Sequence, residues 1–397
     1  MSKLCIDLPP IAPDYSGAAS ALFDLGGIVV MHDASGCTGN YTGFDEPRWL
    51  GSKSAVYCSG LRRMDCIMGN DQKYIDGTLE AAKNLNPTMI SYLGSPVPMV
   101  IGIDMDGMAM ETEMASGIPS FGFHTTGQNY YDKGASDVFV KLIKRFAKNP
   151  TVKTEDRPSD RPQKVNVLGL LSVDMGNEQN AEDICAFIER AGYEINARFA
   201  MGLSIEQIER VAEADLNLVI SRCGLEAAQF MEKKYGIPYI CGAPIGDGEI
   251  FTKKLNGTYK LRGIQKKEKG ILIIHEQIRA NSIREEMENQ SDVSISVGSM
   301  YGLDSRLARE GDMDLPSELS VRKRINSGDY SVIIADPEIR KILKRDDVTM
   351  IELPHVALSG RLYLDRYPQY LGGTMTKLIQ NATSIASQET QRKGALS

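Results

Sequence analysis

The strongest constraint on the fold is a set of uninterrupted apolar runs rich in β-branched residues, each followed by a stretch of helical period. The runs VNVLGLL (165–171), ILIIH (271–275) and SVIIA (331–335) have no polar alternation that would leave one face wet. Such strands belong to sheets covered on both faces, which in practice are parallel sheets flanked by helices. Further strands are predicted at 27–31 (GIVVM), 88–93, 217–220, 294–297 and 348–353. Between them, apolar residues recur at three- and four-residue spacing over 137–148, 181–191, 204–215, 225–235 and 277–287. In the first of these the residues are Val138, Val140, Leu142, Ile143 and Phe146. Strand and helix in alternation imply right-handed crossovers. The expected fold is α/β: three Rossmann-like domains with parallel sheets and an interdomain cleft.

Two composition breaks divide the chain. Residues 149–164 (NPTVKTEDRPSDRPQK) are polar, hold three prolines and lack periodicity, and a softer break lies at 263–270 (GIQKKEKG). They predict domains at 1–160, 161–265 and 266–397. A length of 397 residues suits two or three domains. A 42% hydrophobic fraction is enough for a large core. The net charge of −7 and the lack of a basic run argue against a nucleic-acid partner. No apolar run approaches the roughly 20 residues of a membrane span, and the N-terminus lacks a secretory apolar core. The expected location is the cytoplasm, where the seven cysteines stay reduced unless a metal takes them.

Several signatures are missing. There is no G-x-x-x-x-G-K-[ST], no G-x-G-x-x-G after a strand, no C-x-x-C and no H-E-x-x-H. P-loop ATP binding, dinucleotide binding, zinc modules and zinc proteases each lose their main support.

The order of short motifs in the first third is more telling. YSGA (15–18), HDASGC (32–37), MDCIMGNDQK (64–73), PVPMVIGIDMD (96–106) and SGIPSFGFHTTG (116–127) follow one another. MEKKYGIPYICGAPIG (231–246), IIADP (333–337) and YLGGTMTKLIQN (370–381) continue the series. In this order they resemble component 1 of nitrogenase and its relatives, which include dark-operative protochlorophyllide reductase. The resemblance implies a subunit of an ATP-dependent reductase. A separate ATP-hydrolysing iron protein would deliver low-potential electrons to an iron–sulfur cluster at a subunit interface. A substrate in the interdomain cleft would receive them.

The resemblance also assigns residues. Cys37, ending a glycine-containing loop after a strand, matches the interface-cluster cysteine, and Gly36 lets the backbone approach an inorganic centre. The relatives supply three cysteines per subunit, but none stands near Pro13 or at Ser95-Pro96 here. That argues against an eight-iron cluster. Cys58 is the compensating candidate: two thiolates from each of two chains make the four that a [4Fe–4S] cluster needs. The partner chain would be identical or similar. Cys223 and His355 fall near the family's cofactor-binding positions, which raises a second metallocofactor or a tetrapyrrole-type ligand.

Bland readings stand beside these. Cys185 and Cys241 read as core, and so does Cys66; Cys5 reads as coil. Asp33, Asp45, Glu46, Arg48 and Trp49 read as the cover of a cluster or a docking face, or as an ordinary surface loop. His32 reads as orienting its loop through a hydrogen bond. The run Met99–Met114 reads mainly as core. Two other functions remain open: a non-catalytic scaffold for metallocofactor assembly, and a cluster-free small-molecule-binding α/β protein.

Overall fold

The computed structural model describes residues 5–51, 54–150, 161–261 and 270–394. The inner part of the first linker (151–160) and nearly all of the second (262–269) lie outside the described residues. Among the described residues, thirteen strands form three sheets. The first holds β1 (Ile28–Met31), β2 (Ala55–Cys58), β3 (Ile90–Leu93) and β4 (Ser120–Phe123) in the order β2-β1-β3-β4. The second holds β5 (Lys164–Leu170), β6 (Glu194–Ala200), β7 (Leu216–Val219) and β8 (Tyr239–Cys241) in the order β6-β5-β7-β8. The third holds β9 (Gly270–Ile274), β10 (Ile295–Ser299), β11 (Met313–Asp314), β12 (Tyr330–Ala335) and β13 (Thr349–Glu352) in the order β11-β10-β9-β12-β13. All pairings between them are parallel.

Each sheet reverses its strand order once, between β1 and β3, β5 and β7, and β9 and β12. Loops leaving the carboxyl ends of those strand pairs part in opposite directions and leave a crevice, where α/β proteins bind ligands. The loop containing Cys37 and the Ser95 turn leave β1 and β3. Asp174 and Cys223 follow β5 and β7, and His275 and Asp336 follow β9 and β12.

The strands bury both faces, as their composition requires. Along β1, Val29 and Met31 enter the main core, which runs through all three sheets. Ile28 and Val30 point the other way, into a smaller core with Tyr74, Ile75, Tyr92, Met105 and Met108. Two helices, Asp14–Leu22 and Tyr131–Phe146, cross at the centre with their backbones almost touching. A Cβ on Gly17 would lie 1.8 Å from the carbonyl oxygen of Tyr131, and one on Gly134 would lie 1.8 Å from that of Asp14. Only glycine permits this approach.

Most of the expected elements are present. The helix expected at 137–148 begins six residues earlier, because Tyr131, Gly134, Ala135 and Ser136 are buried against the partner helix. The pattern at 204–215 divides into a helix over Ile205–Glu209 and a 3₁₀ turn over Val211–Glu213. Helix Gln277–Gln290 is buried along nearly its whole length, charges included. Its Arg284 meets Asp312 at 2.6 Å, both without exposure, and Arg309 reaches Glu285 and Glu288. No helix among the described residues is long and apolar enough to cross a membrane.

Replacing Gly17 with alanine should separate the two central helices. Urea unfolding is expected to show a loss of about 3 kcal/mol or more, the upper end of core overpacking. A loss below about 1 kcal/mol would contradict the close backbone contact.

Candidate functional site

The cysteine loop is built around Asp33. After β1 the chain turns so that the Asp33 carboxylate accepts hydrogen bonds from the Ser35 amide (3.0 Å), the Thr38 amide (3.0 Å) and the Thr38 hydroxyl (3.3 Å). Ser35 is held at φ 125°, a conformation side-chain-bearing residues seldom adopt. The short helix Gly36–Asn40 starts there, with Cys37 in its first turn. Register pairs Met31 with Cys58 at the end of β2. The Cys58 thiol donates to the Asp33 carbonyl at 3.3 Å and accepts from the Gly60 amide at 3.3 Å. Cys37 is half-buried, within hydrogen-bonding reach of the Tyr15 and Ser95 hydroxyls and of Asp33. Burial raises its thiol pKa; Asp33 adds to the rise, and the two hydroxyls oppose it. Both candidate thiols therefore converge on one residue at the first sheet's crevice. Tyr15 and Ser95 sit close to the places where the resemblance sets cysteines that this chain lacks.

Gly36, Gly39 and Gly43 have open space where a Cβ would stand, and none has a positive φ. Nothing within the chain requires glycine there. Around the two cysteines the surface is apolar. Helix Arg63–Met68 buries none of its residues and exposes Met64, Ile67 and Met68. Helix Pro96–Ile101 exposes Val97, Met99, Val100 and Ile101, and Tyr57 of β2 is also exposed. Apolar side chains exposed in this number on short elements that follow β2 and β3 suit an interaction surface.

Asp45, Glu46 and Arg48 form neither a docking face nor a surface loop. Glu46 is fully buried and accepts from Ser20 (2.8 Å), Ser172 (2.9 Å) and Arg48 (2.8 Å), which ties the cysteine segment to the second sheet. Asp45 accepts from Ser16 (2.6 Å) and Asn40 (2.7 Å). The His32 ring makes no hydrogen bond; it packs edge-on to Tyr74 with centroids 4.7 Å apart. The methionine run divides, with Met105 and Met108 in the core and Met99, Met110 and Met114 exposed. Cys185 is buried; Cys66 and Cys241 pack at the edges of the two cores.

The structure brings Cys223 and His355 together at a second place. Both face the carboxylate of Asp174, His355 Nε2 at 3.3 Å and Cys223 Sγ at 3.9 Å. The Tyr131 hydroxyl donates to the same carboxylate at 2.6 Å. The Asp174 carbonyl accepts from Arg279 and from the Tyr367 hydroxyl. Beside this junction lies a cleft of about 590 Å³, lined by Asp132 and Lys133 from the segment after β4, Arg222 and Glu226 after β7, and Asp304 and Arg306 after β10. Arg222 pairs with Asp132 and donates to the Tyr301 carbonyl. Sequence reasoning missed Asp174, Tyr131, His275 and Arg279, which have no motif of their own and meet only through the fold. Among the described residues no group of three or more His, Cys, Asp or Glu is arranged to hold a metal ion.

Three parallel sheets, each reversing strand order once, with two thiols meeting at Asp33 beside the first, define a three-sheet α/β architecture. A sequence profile described as nitrogenase component 1 type oxidoreductase matches residues 13–304, and the chain belongs to that family. It is 27% identical over 256 residues to the nitrogenase iron-molybdenum cofactor biosynthesis protein NifE of Methanosarcina barkeri, covering 59% of this chain and 52% of that protein. It is 28% identical over 200 residues to the nitrogenase molybdenum-iron protein alpha chain of Clostridium pasteurianum, covering 50% and 36%. It is 30% identical over 114 residues to a light-independent protochlorophyllide reductase chain of Methylobacterium sp. (strain 4-46), covering 28% and 22%. The matches thus span about half or less of these relatives' own lengths. The solved structure of nitrogenase Cp1 at pH 6.5 shares the fold, with a TM-score of 0.70 at 14% identity over 99% of this chain and 95% of that one.

Burial pushes the Asp45 carboxyl up to about 7, with Ser16 opposing and Glu46 adding. A carboxyl raised on folding holds its proton in the folded chain at pH values where the unfolded chain has released it. Its contribution to stability therefore falls as pH rises from about 4 to about 7. Asp45→Asn should remove a slope of roughly 2–4 kcal/mol over that window. Equal slopes for variant and wild type in pH-dependent chemical unfolding would contradict this.

Proposed function

We propose that this chain is a subunit of a nitrogenase-like, ATP-dependent reductase. In this reading Cys37 and Cys58, with the same pair from a second, identical or similar chain, hold an iron–sulfur cluster of the [4Fe–4S] type. When bound, the cluster supplies one-electron transfer at low potential. The chain's own residues present the thiols, keep Asp33 fixed between them, and screen the site with apolar surface. The observation that carries this is the convergence of both thiols on Asp33 within an exposed apolar face. The thiols fit the group: a thiolate donor set, half-buried and next to open space at Gly36. A close partner or cluster gives that glycine a reason that the isolated chain does not.

With no phosphate-binding loop in these 397 residues, ATP hydrolysis falls to a separate iron protein. A reducing compartment suits free thiols, so we place the protein in the cytoplasm. Substrate would enter the cleft between the three sheets. The same reading divides the chain at 160 and 265. The likeness to NifE favours a second reading, a scaffold that assembles a metallocofactor and hands it on.

The test is iron, acid-labile sulfide and EPR of the dithionite-reduced protein, with molar mass by light scattering. Wild type purified without air is expected to be a dimer with about four irons, which Cys37→Ser and Cys58→Ser each lose. Iron retained in Cys37→Ser would overturn the assignment. A protein that stays iron-free after reconstitution would favour the cluster-free binding protein. ATP-dependent oxidation of reductant with the iron protein separates a reductase from a scaffold.

A further inference from the structure

The second place where the resemblance sets a cofactor does not suit one in this chain. His355 has both ring nitrogens engaged. Its Nδ1 accepts a hydrogen bond from the Ala357 amide at 3.1 Å, so the ring proton sits on Nε2, which faces Asp174 at 3.3 Å and the Tyr131 hydroxyl at 3.5 Å. Neither nitrogen offers a lone pair to a metal. Cys223 is fully buried between Ser221 (3.2 Å) and Asp174 (3.9 Å).

The space around these residues is filled. Tyr301 stacks on His355 with centroids 4.5 Å apart, and His275, itself fully buried, meets His355 edge-on at 4.7 Å. The neighbouring cleft reaches Asp132 and Arg222; Tyr131 and Cys223, next to them in sequence, are not among its lining residues. The Arg222–Asp132 pair forms its floor, and the Arg222 amide donates to Glu276 at 3.0 Å.

We propose that Asp174, Tyr131, Cys223, His275 and His355 form a closed latch joining the three sheets, with Tyr131 reaching it on the helix that follows β4, and that Cys223 and His355 ligate no metal. At this junction a ligand would then meet the cleft lined by Arg222 and Asp132 and not the latch residues. This goes beyond the reading of the cysteine face and does not depend on it.

The latch is tested on the whole protein with Cys223→Ala and His355→Ala, using metal analysis for iron, molybdenum, vanadium and nickel, thermal unfolding, and ¹⁵N NMR of histidine-labelled protein. Both variants are expected to keep the wild-type metal content. His355→Ala, which leaves Asp174 without its ring partner, is expected to lower Tm by roughly 3–6 °C. The NMR should show His355 neutral with its proton on Nε2. Cys223→Ala removes only a sulfur, so it remains informative if His355→Ala fails to fold. Loss of a metal in Cys223→Ala, or His355 protonated on Nδ1 instead, would overturn the proposal. Protein wholly free of metal would end the cluster reading of Cys37 and Cys58, while the NMR and stability results would still decide the latch.

Discussion

The fold is organised around the burial of one carboxylate. Asp174 has no exposure, and a charge taken out of water must be met by donors or it is strongly destabilising. The donors come from separate parts of the chain: Tyr131 from the central helix, Cys223 from the second sheet, and His355 from the turn after β13. Arg279 and Tyr367 add bonds to its carbonyl. The Asp174 pKa lies below the ordinary range because His355, Arg279 and Tyr131 outweigh the cost of burial. Misplacing any sheet would leave that charge unmet, so the three sheets depend on one another at a single point. Glu46 does the same on a smaller scale, joining the cysteine segment to Ser20, Arg48 and Ser172.

Much of the architecture was legible because strand burial is written in local composition. GIVVM, VNVLGLL, ILIIH and SVIIA all lie in or over central strands. The strands not marked by composition were short or polar. EINARFA and the two-residue Met313–Asp314 carry no continuous apolar run, and AVYC is only four residues long. Helix Gln277–Gln290 shows the opposite problem. Its period was legible, but not the burial of its arginines and glutamates, which Asp312 and Arg309 arrive from distant sequence to pair with.

The candidate sites were legible to different degrees. Cys37 could be singled out because a reactive residue type follows a predicted strand, and Cys58 because the resemblance left the ligand set incomplete without it. That they share Asp33 depends on the β1–β2 register, which no local pattern specifies. The polar residues after Cys37 were misread because polarity near a loop suggests solvent. Asp45 and Glu46 are instead enclosed by helix Asp14–Leu22 and Ser172, from beyond the segment itself. Asp174 could not have been found at all: a lone aspartate in SVDM carries no signal until five other residues surround it.

The contact between helices Asp14–Leu22 and Tyr131–Phe146 has a mechanical consequence. With glycine at both crossing points, backbone meets backbone, and no side chain lies between them to yield. The first turn of the second helix supplies Asp132 and Lys133 to the cleft, and the first turn of the other supplies Tyr15 to Cys37. Both residues stand in first turns, beside the contact itself, so the cleft and the thiol loop are anchored on the same unyielding crossing.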